Sequence, residues 1–383
     1  MKNLVFGVLM ILFYSCQIKD KNQTLKSINY SIDTVFIDSK GEILDLKYNL
    51  DNSGLSNNKS SLYNLNHFDF SLEKIDLTQK ELVSKNYFQE NGPLGVGSSF
   101  TSFHVFSDDK ILVSNDFYSA KIFNHNGDFI KKISLRDEKW KGEQLKEEEI
   151  SRKKIFLRNS IAKLFTIISV EGPLKSNKSE LAVLDFNKKL ISRFNIDPYQ
   201  KFKSHSHSAP DNYYMSPRIY LSEENNLALV SHEFTNEIYW FDNLSNELQL
   251  VDYKSTLTPN EVELKVNNRL GTREEFFEGY ISMLSQIRFG PVVYDELNEQ
   301  YYRLSYQLEF EESPNQNSAF PKVSKRKTFI TAFNKEFNLV AEVLVPELDF
   351  TIPHYFAKDG KIWIFNNNND ELAFVCIQPS INE

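Results

Sequence analysis

The sequence predicts an all-β protein, and more specifically a six-bladed β-propeller of four-stranded antiparallel blades. The first observation is that residues 103–135 contain four short apolar runs, each ended by a cluster of turn residues. Asn126-Gly127 joins the last two runs, and an Asn-Gly step is a strong hairpin signal because both residues tolerate positive φ. The second observation is that similar units recur along the chain, as they do in a propeller.

The composition agrees with β-structure and excludes one class of partner. The 383 residues include 31 Phe and 18 Tyr but only 13 Gly, which favours strands whose turns use Asn and Asp. The net charge is −8, and no basic stripe interleaved with aromatic residues occurs. We therefore expect no nucleic-acid partner.

Residues 1–16 have the pattern of a lipoprotein signal peptide. Lys2 supplies a positive charge, residues 4–14 are almost entirely apolar, and Ser15 stands directly before Cys16. A small residue before a cysteine at the end of such a run predicts lipidation of Cys16. The alternative is a cysteine that merely ends a hydrophobic leader.

The rest of the chain is predicted to form a tether followed by one domain. Residues 17–26 are polar and aperiodic, which predicts a flexible tether, and residues 27–383 are predicted to form a single propeller domain. Cys16 and Cys376 are the two cysteines of the chain, so no disulfide framework is expected once Cys16 carries lipid.

Strand patterns fill most of the predicted domain. We expect residues 50–60, which are polar, to form a loop inside the first blade. The predicted units are, in chain order, a lone strand at 28–38, a first blade at 42–49, 61–66, 68–77 and 81–88, a second blade at 103–135, a third from 155, a fourth from 218, a fifth from 291 and a sixth of only three strands.

Two helical insertions are expected to interrupt the strands. In residues 139–158, apolar residues lie among charges at a spacing that favours a helix. Thr272 and Glu275 fit a capping box, and apolar residues at helical spacing follow them up to Gly290-Pro291.

The three-strand sixth blade predicts how the ring closes. An open sheet edge is an aggregation liability, and the lone strand at 28–38 has no sequential partner. We therefore expect this strand to become the outermost strand of the sixth blade. A seventh blade would need four more strands, which the sequence does not supply, and a pair of β-sandwiches is the structural alternative.

Two features carry a resemblance to a known family. The sequence around Ser15-Cys16 is similar to the loose lipobox of Bacteroidota, and residues 290–304 (GPVVYDELNEQYYRL) resemble a segment of one family of unknown function. The chain thus resembles the uncharacterised six-bladed propeller lipoproteins of that phylum. The resemblance implies the fold and export to the cell envelope, with a lipid anchor at the outer membrane and either a periplasmic or a surface-exposed domain. It implies no activity.

One loop contains a candidate metal site. His205 and His207 are two residues apart, so in an extended segment they would share a face, and Asp211 could be a third ligand. The alternative is a polar loop with two solvated histidines.

Arginine and tyrosine residues form the candidate ligand site. Arg218 and Arg288 stand where two innermost strands are predicted to begin, and Arg303 lies behind Tyr302 in the fifth blade. Together with Tyr214, these donors and rings suit a carboxylate or a sugar. The alternative is that the arginines bond carbonyl groups of a neighbouring blade or an aspartate.

The function predicted from these observations is binding. The chain contains no G-x-S-x-G, H-E-x-x-H or P-loop motif, so we name no catalytic residue and expect no cofactor. We expect a monomeric, membrane-anchored binding or scaffold propeller for a glycan, a peptide or an envelope protein. The alternative is a carbohydrate-active or other hydrolytic propeller that uses carboxylates at the channel mouth; the sequence leaves open whether the protein is an enzyme.

Overall fold

The fold was obtained as a computed structural model, which describes residues 25–382 except 108, 138, 159, 171–178, 212, 252, 264–269 and 312–320. Cys16, the signal peptide and nearly all of the predicted tether lie outside the described residues. The tether's last residue, Lys26, donates its main-chain N–H to the carbonyl of Val340 at 3.0 Å, so contact with the domain begins there.

Six antiparallel sheets form the blades of a propeller, as predicted. In each blade the first strand is innermost, and inner strands of successive blades contact one another. The strands of the first two blades are β2 (Ser53–Leu55), β3 (Ser61–Leu65), β4 (Ser71–Asp76) and β5 (Glu81–Tyr87), then β6 (Ser102–Ser107), β7 (Lys110–Ser114), β8 (Ser119–Asn124) and β9 (Phe129–Ser134).

Blade three carries an additional short strand that pairs in parallel with its outermost strand. A short hairpin and a one-turn helix separate it from blade four. These elements are β10 (Lys141–Gly142), β11 (Glu149–Leu157), β12 (Ser160–Val170), β13 (Ser179–Asp185), β14 (Leu190–Asn195), α1 (Lys201–Ser204), β15 (His207–Ala209) and β16 (Tyr213–Met215).

The last three blades each have four strands, and the longer helix stands before blade five. These elements are β17 (Ile219–Glu224), β18 (Leu227–His232), β19 (Ile238–Asp242), β20 (Glu247–Val251), α2 (Arg273–Leu284), β21 (Arg288–Asp295), β22 (Gln300–Phe310), β23 (Val323–Phe333), β24 (Leu339–Leu344), β25 (Tyr355–Lys358), β26 (Lys361–Asn368), β27 (Glu371–Ile381) and, from the start of the chain, β1 (Ile28–Phe36).

The predicted closure of the ring is confirmed. Strand β1 pairs antiparallel with β27 as the outermost strand of blade six, in a register that runs from Ile28 opposite Ile381 to Phe36 opposite Ala373. Both ends of the domain therefore lie in one sheet, and the β-sandwich alternative is excluded.

The core lies between the blades. Each of six apolar clusters is built from two neighbouring sheets, so every blade packs its faces against both neighbours. Burial of these faces, rather than any single contact, holds the ring together.

The innermost strand of blade one is not where the sequence predicted it. Residues 42–49 do not form a strand, and β2 lies within residues 50–60, which were expected to be a loop. Asn49 and Leu50 have φ of 53° and 63°, so the backbone turns there and cannot continue as a strand. Leu50 is buried by this turn.

One of the two predicted helical insertions is wrong. Residues 139–158 form β10 and β11 with their connecting segment, not a helix. The register of β11 against β12 shifts between Ser151 and Lys154, and such a bulge interrupts the alternation of apolar residues. The interrupted alternation resembles helical spacing, which explains the error.

The second helical insertion is confirmed as α2. Thr272 Oγ1 accepts from the main-chain N–H of Glu275 at 3.1 Å, and Glu275 Oε2 accepts from that of Thr272 at 3.3 Å. This reciprocal pair is the predicted capping box.

Candidate functional site

A cavity of about 330 Å³ occupies the centre of the ring and is lined by residues of all six innermost strands. It is the central channel that a closed propeller encloses. Its volume is within the range of small-ligand pockets. The channel has two ends, one where the innermost strands begin and one where they finish, and the two differ in their side chains.

Ion pairs bridge the channel where the innermost strands finish. Lys59 reaches from blade one to blades four and five, where its Nζ lies 2.6 Å from the carbonyl oxygen of Tyr294 and 3.6 Å from Glu224 Oε2. Arg158 at the end of blade three's inner strand pairs with Glu223 of blade four at 2.8 Å. We call this end the bridged end.

The opposite end, where the innermost strands begin, carries polar groups that face the channel. Arg218 and Asp51 are exposed there, so we call it the entrance. The residues of the entrance group come from five different blades or from the segments that lead into them, and they are Asp51, Lys153, Arg218, Tyr220, Tyr306 and His354.

Most of the entrance group makes no side-chain hydrogen bond in the part of the chain that the structure describes. The side-chain polar atoms of Asp51, Arg218, Tyr220, Tyr306 and His354 make no hydrogen bond to another described residue. Lys153 Nζ donates one bond, to the carbonyl oxygen of Phe103 at 3.2 Å. Polar groups held in a cleft without partners are available to a ligand.

Burial changes the acidity of this group. It lowers the pKa of Lys153, although Asp51 opposes the shift. Asp51 keeps an exposed surface, but the protein atoms around its carboxyl group displace enough water to raise its pKa against the attraction of Arg218 and Lys153. Burial also lowers the pKa of His354 to about 4, so this imidazole is neutral at pH 7. The site thus combines two basic side chains, one carboxyl group and neutral hydrogen-bonding groups.

Backbone geometry explains how Arg218 and Lys153 reach the channel. The main-chain N–H of Arg218 donates to Glu233 Oε2 at 2.9 Å, which fixes the start of β17. Lys153 lies within the bulge of β11. A bulge redirects a side chain out of the regular alternation, and here it turns Lys153 toward the channel.

Arg288 is beside the entrance but is already paired. Its guanidinium bonds Glu233 and lies 5.1 Å from the ring centroid of Phe234. Both Arg288 and Glu233 are buried. We therefore assign Arg288 to the support of Arg218, because Glu233 contacts both residues.

The structure does not bring Arg303 and Tyr302 to the channel mouth. Arg303 is 1% exposed, and its guanidinium donates to the carbonyl oxygens of Gly290, Asn236, His232 and Thr235 at 2.8–3.3 Å. It thereby joins blade five to blade four. Tyr302 is buried in the apolar cluster between blades five and six.

The candidate metal residues are also separated from one another. His205 is buried, with Nδ1 2.7 Å from the carbonyl oxygen of Lys201 and Nε2 3.0 Å from that of Val262, whereas Asp211 is exposed at a hairpin turn. His207 is buried in β15, and Tyr214 is exposed on β16. Among the described residues, no group of three or more His, Cys, Asp or Glu side chains is placed to hold a metal ion.

Of the five predicted ligand residues, Arg218 alone belongs to the entrance group. Sequence reasoning missed Asp51 and Lys153 because they fall in a predicted loop and a predicted helix. Tyr220 could have been found, since it follows Arg218 at the two-residue spacing of one strand face.

The chain was compared with known proteins. The profile of one family, a domain of unknown function (DUF4221), matches residues 25–344. A solved structure of a DUF4221 member from Bacteroides vulgatus is similar, with a TM-score of 0.64 and 13% identity over 94% of this chain and 100% of that one. A candidate exported protein from Bacteroides fragilis is similar with a TM-score of 0.50 and 10% identity, over 92% and 96% of the two chains.

Because both identities are low, these two similarities show the fold alone. No curated protein matches the chain. No helix in the described ranges is both long enough and apolar enough to cross a membrane.

Proposed function

The chain belongs to the DUF4221 family of domains of unknown function, and from this premise we propose that it is a lipid-anchored, non-enzymatic binding propeller of the cell envelope. Its ligand site is the entrance group, and its ligand carries a carboxylate. The observation that carries the proposal is a ring channel with five polar side chains that make no hydrogen bond to another described residue.

Charge supports an anionic ligand group. A guanidinium fork matches the two oxygens of a carboxylate, and Lys153 adds a second basic group in the same cavity. An anion bound there would stabilise the protonated form of Lys153, which burial disfavours. The phenol groups of Tyr220 and Tyr306 and the carboxylate of Asp51 can bond the ligand's hydroxyl or amide groups.

The channel's other carboxylates argue against the hydrolytic alternative. Glu223 and Glu224 are adjacent in one strand, so they point to opposite faces of its sheet. Each is paired with a basic residue of another blade, Arg158 and Lys59 respectively. Glycoside hydrolysis requires two carboxyl groups that flank the substrate from opposite sides.

The anchor rests on the sequence of the leader. Cys16 is proposed to carry the lipid and to hold the propeller at the outer membrane. The test is metabolic labelling with palmitate of cells that express the full chain or Cys16→Ala. We expect the wild-type protein, but not the variant, to incorporate the label; a wild-type protein without label contradicts the anchor.

Binding is tested by calorimetric titration of the purified protein. The probes are galacturonic acid, a carboxylate-bearing sugar, and galactose, its neutral counterpart. We expect galacturonic acid to bind and Arg218→Gln to weaken this binding about tenfold or more, because a charge-assisted hydrogen bond contributes about 1.5–3 kcal/mol. The matched control is Arg152→Gln, since Arg152 is exposed and does not line the channel.

The proposal is wrong if Arg218→Gln binds as well as the wild type, or if galactose binds as tightly as galacturonic acid. Incubation of the protein with oligogalacturonides, followed by chromatography of the products, addresses the enzyme alternative. Products that accumulate with the wild type but not with Arg218→Gln would show that the site is catalytic.

A further inference from the structure

A second cavity of about 530 Å³ adjoins the entrance of the channel. It shares Asp51, Phe103 and Lys153 with the channel cavity, so the two cavities are adjacent.

Three aromatic rings form one side of the second cavity, and we call them the aromatic wall: Tyr48, His67 and Phe100. The centroid of His67 lies 4.4 Å from that of Tyr48 and 4.8 Å from that of Phe100. The planes of the neighbouring rings are tilted by 50° and 55°, so the three rings pack into one aromatic cluster at this side of the cavity.

Hydrogen bonds hold the central ring of the wall in place. His67 Nδ1 lies 3.0 Å from Asp45 Oδ2, and Asn52 Nδ2 lies 2.8 Å from His67 Nε2. Nδ1 is thus placed to donate to Asp45, while Nε2 lies against the Asn52 amide. A ring held at both nitrogens is preorganised, which lowers the entropic cost of binding.

Small hydroxyl residues complete the cavity. Ser98, Ser99, Thr101 and Ser102 line it together with the wall. The hydroxyl groups of Thr101 and Ser102 already donate to main-chain carbonyl oxygens, so those of Ser98 and Ser99 are the ones offered to a ligand. The second cavity therefore offers ring faces on one side and hydrogen-bonding groups on the other. A sugar ring has the same two kinds of surface: its C–H groups can contact an aromatic face, and its hydroxyl groups can form hydrogen bonds at the edge of the ring.

Positive charge around the site excludes a cationic occupant. Lys47 Nζ lies 5.3 Å from the ring centroid of Tyr48, so a basic side chain already takes the cation–π position at that ring. Lys153 stands where the two cavities meet. A neutral or acidic group fits this arrangement.

We propose that the channel and the second cavity are adjacent subsites for an acidic oligosaccharide of at least two sugar residues. The acidic sugar binds Arg218 and Lys153 in the channel, and the next sugar lies on the aromatic wall. Asp51, which lines both cavities, accepts hydroxyl groups at the junction. This inference rests on the proposed binding function and adds the ligand's class and length.

The experiment compares galacturonic acid with digalacturonic acid by calorimetric titration of the full chain. We expect the disaccharide to bind about tenfold or more tightly than the monosaccharide, since it fills both subsites. Tyr48→Ala is expected to reduce the affinity for the disaccharide to the level of the monosaccharide. Tyr48 is 43% exposed, so its removal leaves the core intact. The matched control is Tyr87→Ala, a tyrosine that is 63% exposed and lies outside both cavities.

The outcomes separate the two proposals. If the monosaccharide binds through Arg218 but the disaccharide gains nothing, the second subsite is wrong and the proposed function stands. If neither sugar binds, both are wrong. If Tyr48→Ala weakens the binding of a dipeptide with a free carboxylate but not that of the disaccharide, the ligand is a peptide and the carbohydrate assignment is overturned.

Discussion

Asp33 in the first strand lies directly opposite Cys376 in the last strand of the same sheet. Their side chains share one face, because directly opposed residues of an antiparallel pair do so. Closure of the ring therefore depends on a pairing between the two ends of the domain.

This pairing can be tested with a disulfide. In a Cys16→Ser background, Asp33→Cys places a second thiol opposite Cys376, and opposed Cα atoms in antiparallel strands are about 4.5–5.5 Å apart, a distance that a disulfide spans. Because the bond closes almost the whole chain into a loop, we expect it to raise the free energy of unfolding by about 3–5 kcal/mol. The measurement is urea denaturation with and without reductant.

The same substitution combined with Cys376→Ala is the control and should respond to neither oxidant nor reductant. Burial raises the pKa of the Cys376 thiol to about 12, so the introduced, exposed thiol supplies the reactive thiolate. Failure of the two thiols to join under oxidising conditions would contradict the register of the closure.

We expect Arg303 to contribute to the stability of the fold rather than to ligand binding. Arg303→Lys leaves carbonyl oxygens of two blades without their donors, because one ammonium cannot reproduce the planar fork. We expect the free energy of unfolding to fall by about 2–4 kcal/mol, measured by urea denaturation. The control is Arg152→Lys, at an exposed arginine whose Nε donates a long hydrogen bond to Ser169 Oγ at 3.4 Å, and it should lower stability by less than about 0.5 kcal/mol.

A ligand role for Arg303 would give a different result. In folded Arg303→Lys protein at low temperature, we expect galacturonic acid to bind with wild-type affinity. A loss of affinity comparable with that of Arg218→Gln would return Arg303 to the binding site.

Glu223 at the bridged end predicts how stability depends on pH. Burial raises its pKa to about 7 from an ordinary value of 4.5, despite the pairing with Arg158. The folded protein therefore holds this proton more tightly than the unfolded chain does, and the free energy of unfolding falls as pH rises from about 4.5 to about 7.

Substitution of Glu223 isolates its contribution to the pH dependence of stability. Relative to Glu223→Gln, the wild type should lose about 2–3 kcal/mol between pH 5 and pH 7.5, as measured by urea denaturation at both values. Glu247→Gln, at an exposed position, should keep the wild-type dependence. Parallel pH profiles for the wild type and Glu223→Gln would refute the assignment.

Lys59 is expected to stabilise the bridged end. Lys59→Met removes the cation that contacts Glu224 and the carbonyl oxygen of Tyr294, and leaves a partly buried carboxylate without it. We expect the free energy of unfolding to fall by about 3 kcal/mol. Lys80→Met is the matched control. Lys80, like Lys59, lies in a turn of blade one and has a positive φ (62° for Lys80 and 53° for Lys59), but its side chain is exposed. Equal losses in the two variants would mean that the bridge contributes nothing.

Much of the fold follows from short-range patterns. The hairpin at Asn126-Gly127, the capping box at Thr272 and the two-residue alternation of most strands each depend on a few neighbouring residues. Even the closure by residues 28–38 could be predicted, because a three-stranded last blade leaves one edge to cover. The family expected from residues 290–304, uncharacterised six-bladed propellers, is confirmed as well.

The errors arose where a local pattern has two interpretations. A bulge in β11 imitates helical spacing, and a turn with positive φ at Asn49 and Leu50 moved the first inner strand beyond the expected position. In both cases packing between blades selects the conformation, and that contribution is absent from the local sequence.

The entrance group could not be found by the same reasoning. Asp51, Lys153, Arg218 and His354 lie in distant parts of the chain, and they face one cavity because the ring brings their blades around a common axis. Turn chemistry and strand periodicity act between near neighbours, so they are readable along the sequence. Which side chains meet across the channel depends on the closure of the ring and on the burial of six blade interfaces, and these are properties of the folded chain as a whole.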